Sequence, residues 1–232
     1  MRGARAIIVA TLTLLPVAAA AADFVPPEGC EPYLSVQGRA CTVSLHYTCA
    51  EVPGHLFRAD FDEHGAFYEG EIDDEAQWVQ SRSLPSGDTW VTLFPAPDVA
   101  SVTTLLATGY DDWTFEEVQP GGLRVRVEGF DRLTGETATI DGEELLRTGY
   151  ETRYYRPDGS LIRESNGREY VSARHRRFFS GVRTSQSGDD ETVRDNTPVE
   201  FRYPGEPDFL STEPRYNCGP MLSALRVPED RA

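Results

Sequence analysis

The sequence predicts a mainly β-protein with little helix: an antiparallel, strongly curved sheet, a barrel or half-barrel, built from consecutive hairpins. Three observations favour this fold class. Turn-forming dipeptides recur at short intervals, apolar residues alternate with polar ones between them, and glycines interrupt the longer strand-like stretches. The dipeptides include His64-Gly65, Thr134-Gly135, Asp141-Gly142, Asp158-Gly159, Asn166-Gly167 and Ser187-Gly188. Asp-Gly and Asn-Gly suit the two-residue turns of hairpins, and we expect helix in less than about a fifth of the chain.

The alternation is clearest in two stretches. In LRVRVEGF, residues 123–130, three apolar residues occupy one face and charged residues occupy the other. Residues 144–156 form a longer strand of the same kind, which Pro157-Asp158-Gly159 turns into a returning strand. One face of this longer strand carries Leu146, Thr148, Tyr150, Thr152 and Tyr154. Strands of this type present one face to a core or a cavity.

A short repeat occurs as LLATGY at residues 105–110 and as LLRTGY at residues 145–150. We interpret the two copies as structurally similar segments, each of which begins a comparable hairpin, with Gly109 and Gly149 inside strands. A helical alternative exists for the first copy. In PDVASVTTLLATG, Asp98 could cap a helix whose apolar residues fall on one side.

The first 22 residues predict a secretory signal peptide. Arg2 and Arg5 precede an apolar run, and Ala20-Ala21-Ala22 provides a small-residue cleavage site. Cleavage near Ala22 gives an exported protein, periplasmic or extracellular, and we expect no transmembrane segment in the mature chain. Residues 23–232 suit a single β-rich domain. The proline-rich end, residues 203–232, is expected to wrap the sheet.

The chain is strongly acidic. Its formal net charge is −16, with 38 acidic and 22 basic residues, and removal of the leader's two arginines leaves −18. This charge disfavours nucleic acid and anionic membranes as main partners, because both would repel the protein. We expect a small ligand or an envelope protein as the partner, and nothing in the sequence indicates a cofactor.

Four cysteines form an even set, as expected for disulfides in an exported protein. Cys41 and Cys49 bound a strand-like stretch, CTVSLHYTC, which would hold them about 26 Å apart. That separation excludes a bridge between them, because a disulfide joins Cα atoms that lie within about 7 Å. A hairpin near Gly38 brings Cys30 close to Cys49. We therefore favour Cys30–Cys49 with Cys41–Cys218 over Cys30–Cys41 with Cys49–Cys218.

The stretch DFDEHGAFYEGE, residues 60–71, matches part of a calcium-binding loop. Asp60, Asp62 and Glu71 occupy its first, third and twelfth positions, and Gly65 occupies the sixth. His64 at the fifth position is a poor calcium ligand, however, and the flanking residues alternate as strands do. The favoured alternative is a hairpin that turns at residues 63–65, with its carboxylates in solvent. Nothing else in the sequence indicates a metal site.

The stretch RHRRFF, residues 174–179, concentrates arginines in an otherwise acidic chain. Arg174, Arg176 and Arg177 could bind a phosphate, a sulfated glycan or an anionic headgroup, because a guanidinium matches such oxygens with two hydrogen bonds. The alternative, which we favour, is pairing of these arginines with the many carboxylates of neighbouring strands.

The sequence contains no GxSxG, HExxH, Walker loop or GxGxxG motif, and it indicates no catalytic residue. We expect a non-catalytic exported protein whose curved sheet binds a small apolar or amphipathic ligand or an envelope partner. Tyr110, Tyr150, Tyr154 and Tyr155 would supply amphipathic contacts. One alternative is a hydrolase of glycans or envelope polymers that uses two carboxylates. Another is a structural or assembly factor that uses an exposed strand edge.

Overall fold

A computed structural model describes residues 23–219, so the predicted signal peptide and residues 220–232 lie outside the described residues. The described chain is mainly β, with short turns between strands. Its strands are β1 (Cys30–Gly38), β2 (Thr42–Cys49), β3 (Leu56–Asp62), β4 (Gly65–Ile72), β5 (Trp78–Ser83), β6 (Thr89–Asp98), β7 (Tyr110–Gln119), β8 (Leu123–Ile140), β9 (Glu143–Tyr155), β10 (Leu161–Ser172), β11 (Arg177–Ser187), β12 (Asp190–Asp195) and β13 (Pro198–Arg202). A seven-residue helix, α1 (Val102–Thr108), lies between β6 and β7, and a 3-10 turn (Pro120–Gly122) precedes β8. Within residues 23–219, no helix is long and apolar enough to cross a membrane.

The strands form one antiparallel sheet in which β1 to β12 each pair with their neighbours in sequence. The order across the sheet is β12-β11-β10-β9-β8-β7-β6-β5-β4-β3-β2-β1-β13. The last strand, β13, returns to pair with β1. The prediction of a mainly antiparallel sheet of consecutive hairpins with little helix is therefore confirmed. The edge strands β12 and β13 do not pair with each other, and the sheet is neither closed nor strongly curled, so the predicted barrel is unconfirmed.

The Asp141-Gly142 turn shows why hairpin positions are visible in the sequence. It joins β8 to β9, and its two residues have positive φ angles of 49° and 83°. Glycine adopts this left-handed conformation freely, and aspartate tolerates it better than most residues. Two other predicted turns do not form, because Thr134-Gly135 lies within β8 and Asn166-Gly167 lies within β10. The pairing of β8 with β9 shifts register between Leu133 and Thr137, so Thr134-Gly135 marks a bulge.

The two copies of LLxTGY do not form equivalent structures. In the first copy, residues 105–108 are the end of α1, whose first turn Ser101 caps by accepting a backbone N–H hydrogen bond at 3.1 Å. Gly109 ends this helix with a φ of 84°, in the left-handed region. In the second copy, Gly149 lies inside β9. Hairpins follow both copies, β7 with β8 and β9 with β10, as predicted, but the prediction that Gly109 lies inside a strand is wrong. The helical alternative is correct, with Ser101 rather than Asp98 as the cap.

Side chains from distant strands of the sheet share one buried cluster. Leu34 and Val36 on β1 form it with Leu145 on β9, Phe179 on β11 and Phe201 on β13. Each of the five is at most 5% exposed. The first and last strands of the chain are therefore held together by side-chain packing as well as by hydrogen bonds.

Two disulfides fasten the first hairpin. Cys30 and Cys49 lie opposite each other on β1 and β2 and are bonded, and Cys41 is bonded to Cys218. This is the favoured pairing, and no described cysteine is free. Residues 203–219, the described part of the C-terminal segment, lie beside the same hairpin. There the backbone N–H of Cys41 donates a hydrogen bond to the Tyr216 carbonyl at 3.1 Å.

Candidate functional site

An interior cavity of about 500 Å³ lies on one face of the sheet. Residues of nine consecutive strands, β3 to β11, line it. Because side chains alternate along a strand, each strand can present several of them to the same face. Trp78 is one of the lining residues and is 43% exposed, so the cavity opens to solvent. Sites that bind small organic molecules have volumes of about 300 to 1,000 Å³.

Aromatic side chains form one wall of the cavity. On β7 the pattern DWTFEEV directs Trp113, Phe115 and Glu117 to the same face, and all three are buried. The rings of Trp113 and Phe115 stack with their centroids 5.6 Å apart, and the Trp78 ring meets them edge-on at 5.7 and 5.9 Å. Tyr154 on β9 belongs to the same cluster. This aromatic wall offers flat apolar surface to a ligand.

Four acidic residues line the cavity: Glu71 on β4, Glu117 on β7, Asp131 on β8 and Glu169 on β10. Burial raises the pKa of Asp131 to about 6, although the Trp113 indole N–H donates a hydrogen bond to this carboxyl at 3.2 Å. Burial and the nearby Asp131 raise the pKa of Glu169 to about 8, against the opposing effect of two arginines. Burial also raises the pKa of Glu117. At neutral pH the Glu169 carboxyl is therefore mostly uncharged.

Four arginines line the cavity as well: Arg58, Arg163, Arg177 and Arg183. The first has a carboxylate partner, because an oxygen of Asp60 lies 3.1 Å from its Nε. Arg177 forms no ion pair with a carboxylate among the described residues, although it is only 3% exposed. Its Nη1 donates a hydrogen bond to the Tyr33 hydroxyl at 2.7 Å, and its Nε has no hydrogen-bond partner among the described residues. The cavity thus combines an aromatic wall with both acidic and basic groups.

Each candidate calcium ligand has a partner of its own. Asp60 lies beside a cavity arginine, and Asp62 accepts a hydrogen bond from the His64 backbone N–H at 2.7 Å. An oxygen of Glu71 lies 2.6 Å from Nδ1 of His55. β3 and β4 form the hairpin that was the favoured alternative, but its expected solvent-exposed carboxylates are not all exposed, because Asp60 is buried. In residues 23–219, no group of three or more His, Cys, Asp or Glu side chains is arranged to hold a metal ion.

The three arginines considered as candidates for anion binding have separate surroundings. Arg174 pairs with Glu143 at 3.2 Å, and Arg176 pairs with Glu75 at 2.6 Å. Both arginines line a second cavity, of about 580 Å³, near the turn between β10 and β11. Arg177 lines the interior cavity instead. Pairing with carboxylates, the favoured alternative, therefore describes the first two arginines but not Arg177.

The predicted tyrosines lie on both faces of the sheet. The sequence did not predict that Glu117, Asp131 and Glu169 would line the cavity. Tyr150 and Tyr154 line the cavity, whereas Tyr110 stacks on Phe130 with ring centroids 5.8 Å apart and is 45% exposed. The alternation in DWTFEEV was the available signal for the β7 wall. No sequence signal distinguishes Glu169 from the other acidic residues.

The edge strand β12 is the feature that an assembly factor would use. All six of its residues are exposed. Four of the six, in the sequence DETVRD, are charged. Charged side chains on an edge strand oppose pairing with a further chain, so this edge gives the assembly alternative little support.

Comparison of the chain with protein-family models, with curated proteins and with solved structures finds no match in any of the three. The interior cavity is therefore interpreted from its own residues. Three of its features bear on what it could bind. They are the aromatic wall, the mostly uncharged Glu169 carboxyl and the Arg177 guanidinium, whose Nε has no hydrogen-bond partner among the described residues.

Proposed function

We propose that this protein binds a small amphipathic ligand in its interior cavity without catalysing a reaction. The observation that supports the proposal is the division of the cavity into an aromatic wall and a set of charged and hydroxyl groups. Sites for small molecules combine apolar surface with a few polar groups that fix orientation. An amphipathic ligand would satisfy both parts of this cavity at once.

We propose also that the sheet forms a half-barrel around the ligand. Nine consecutive strands contribute to the cavity lining, and the cluster of Leu34, Leu145 and Phe179 joins β1 to β9 and β11. A sheet of about eight strands is wide enough to hold one small ligand.

We propose further that the protein is exported. Disulfides persist in oxidising compartments, and this protein has two of them. Residues 1–22 have the pattern of a signal peptide. Amino-terminal sequencing of protein recovered from the cell envelope or the medium should begin at Asp23. Recovery of the full-length chain in the cytoplasm would contradict export.

The three tryptophans allow a direct binding test, because Trp78, Trp90 and Trp113 all line the cavity. The neutral fluorescent probe N-phenyl-1-naphthylamine should bind with saturation at one probe per protein and should quench the tryptophan emission. Dodecyl amphiphiles should displace it. A protein that binds neither the probe nor any dodecyl amphiphile would contradict the proposed function.

A pair of neighbouring substitutions supplies the control. Ser165 lines the cavity and is 9% exposed, whereas Asn166 on the same strand is exposed and lies outside the cavity lining. Ser165→Phe should fill part of the cavity and weaken probe binding by at least about tenfold, since lost space excludes the ligand. Asn166→Phe should leave binding unchanged. Equal effects of the two substitutions would place the bound probe elsewhere on the protein.

One observation favours a second candidate function, a hydrolase of glycans or envelope polymers. Asp131 and Glu169 share the cavity and have pKa values raised to about 6 and about 8, so one carboxyl can donate a proton while the other is ionised. Incubation with soluble polysaccharides and peptidoglycan fragments should then release reducing ends, and Asp131→Asn should abolish the release. Absence of release by the wild-type protein would exclude this candidate for those substrates.

A further inference from the structure

Arg177 carries a buried positive charge that forms no ion pair with a carboxylate among the described residues. It is 3% exposed, and its hydrogen bond to Tyr33 involves a neutral hydroxyl. Its Nε has no hydrogen-bond partner among the described residues. Buried charges in proteins are normally paired, because removing an unpaired charge from water is strongly unfavourable. The arrangement is therefore typical of an arginine that binds an anionic ligand.

The residues around Arg177 supply only part of a counter-charge. Burial lowers the pKa of Arg177, and Arg58 lowers it further, whereas Asp60 raises it. The Asp60 carboxylate lies 3.1 Å from Nε of Arg58, so two arginines share this one carboxylate. His46 is 1% exposed with no hydrogen-bond partner at either ring nitrogen, and burial lowers its pKa well below 6.5. This imidazole is neutral. The Glu169 carboxyl is mostly uncharged at neutral pH as well. This part of the cavity consequently keeps an excess of positive charge.

We infer, on the basis of the proposed ligand-binding function, that Arg177 binds the anionic head of the ligand and that the ligand is an anionic amphiphile. A carboxylate is the simplest such head. The ligand's apolar part would then lie against the aromatic wall formed by Trp113 and Phe115, which lines the same cavity.

The guanidinium geometry favours an oxyanion over other polar heads. Nη1 is occupied by the Tyr33 hydroxyl, so the side of the guanidinium that carries Nε is free to donate. A carboxylate accepts two parallel hydrogen bonds from that side of an arginine. An alcohol cannot match this pattern, and an ammonium head would be repelled. Hydrogen bonds to charged groups are strong enough to change affinity by about 10- to 100-fold.

Three probes with the same dodecyl chain test the inference: dodecanoate, 1-dodecanol and dodecyltrimethylammonium. Tryptophan fluorescence at pH 7, below the micelle concentrations, gives the affinity for each. Wild-type protein should bind dodecanoate at least about tenfold more tightly than the alcohol, and the ammonium probe most weakly. Arg177→Met should remove this preference while affinity for the alcohol stays within about twofold of the wild-type value.

Arg174→Met is the matched control, because it removes one positive charge three residues away, outside the interior cavity. It should leave the preference for dodecanoate intact. If Arg177→Met does not fold by circular dichroism, Arg177→Lys replaces it and should reduce the preference, since lysine keeps the charge but not the fork. In addition, dodecanoate should raise the wild-type Tm more than the alcohol does.

The possible results separate the inference from the proposed function. Equal wild-type affinity for dodecanoate and the alcohol would overturn the anionic head and leave ligand binding standing. A preference that survives in both Arg177 variants, or that disappears in Arg174→Met, would overturn the role of Arg177. Binding of none of the three probes would overturn the proposed function itself.

Discussion

At the scale of single residues, Glu169 is the clearest case of a side chain whose state is set by the fold. Its carboxyl faces Asp131 on β8, Arg183 on β11, Arg58 on β3 and Tyr150 on β9. Burial and Asp131 raise its pKa from 4.5 to about 8. The unfolded chain loses this proton near pH 4.5, whereas the folded chain keeps it until about pH 8. Ionisation therefore favours unfolding throughout this pH range, and stability falls as the pH rises.

The first prediction is that Glu169→Gln removes this loss of stability. The glutamine amide stays neutral at every pH, so the variant should be more stable than the wild type at pH 8 and similar to it at pH 4. Urea unfolding at both pH values measures the difference. Glu164→Gln on the same strand is the control, because Glu164 contacts Arg153 and does not line the cavity. If Glu169→Gln does not raise the stability at pH 8 above that of the wild type, the raised pKa of Glu169 is contradicted.

The same residue shows why the site could not be predicted from the sequence. The chain has 38 acidic residues, and the strand pattern around Glu169 resembles several others. What distinguishes Glu169 is its proximity to Asp131 and to a cavity that nine strands build together. Such proximity is a property of tertiary structure. The sequence made Arg177 a candidate because arginines cluster there. It could not show that Arg177 lines a different cavity from Arg174 and Arg176, because that depends on the geometry of the turn.

At the scale of elements, the packing around the paired strands β7, β8 and β9 depends on a glycine in β8, which lets a tryptophan ring approach the backbone. A Cβ atom at Gly129 would lie 2.7 Å from the Trp113 ring and would also meet the Glu151 carbonyl. These contacts leave no space for a side chain. Gly149, in β9, differs, since a Cβ there would lie 3.8 Å from the Gly167 carbonyl oxygen.

The second prediction compares these two glycines. Gly129→Ala should destabilise the protein by about 1 to 3 kcal/mol, because the methyl group displaces Trp113 or the β9 backbone. Gly149→Ala should cost less than about 0.5 kcal/mol, since ordinary van der Waals space is available there. Urea unfolding followed by circular dichroism measures both values. A Gly129→Ala variant as stable as Gly149→Ala would show that the ring does not lie against the strand.

The third prediction concerns the start of α1. Partial burial of Glu75 opposes its ionisation, but hydrogen bonds from Thr103 and Ser101 and the charge of Arg176 hold the pKa of this carboxyl below 4.5. The stabilisation is present above pH 4.5 and is lost as the pH falls through the lowered value. Glu75→Ala should therefore cost about 1 to 2 kcal/mol at pH 7 and less at pH 3. Glu144→Ala, an exposed acid on β9, is the control for unfolding measurements. A loss from Glu75→Ala that is independent of pH would contradict the role of its charge.

This helix also shows the limit of local sequence patterns. The alternation in residues 123–130 correctly predicts β8, with Val125 and Val127 at most 1% exposed. The LLxTGY repeat misleads, because the same letters form a helix end in one copy and a strand in the other. Ser101 and the distant Glu75 decide the first copy. Neither belongs to the repeat.

At the scale of the whole molecule, the order of the sheet follows from local hairpins, with one exception. Each strand from β2 to β12 pairs with the strand before it, as expected for consecutive hairpins, although two of the turn signals lie inside β8 and β10. The return of β13 to β1 joins residues 198–202 to residues 35–38. No turn signal in the sequence predicts the pairing of β13 with β1. The cysteines carried the only sequence information that the end of the chain comes back to its beginning.

The fourth prediction concerns the two disulfides that hold this arrangement. Cys41 and Cys218 are separated by 177 residues, and Cys30 and Cys49 by 19. A cross-link that closes a longer loop removes more conformational entropy from the unfolded chain, which gives about 5 kcal/mol for the first bridge and about 3 kcal/mol for the second. The double variant Cys41→Ser with Cys218→Ser should therefore lose more stability than Cys30→Ser with Cys49→Ser. Urea unfolding of each variant, with the other bridge intact, measures the two losses. If the short bridge proves the more important, the first hairpin depends on it for its native structure, and loop closure does not set the stability of the molecule.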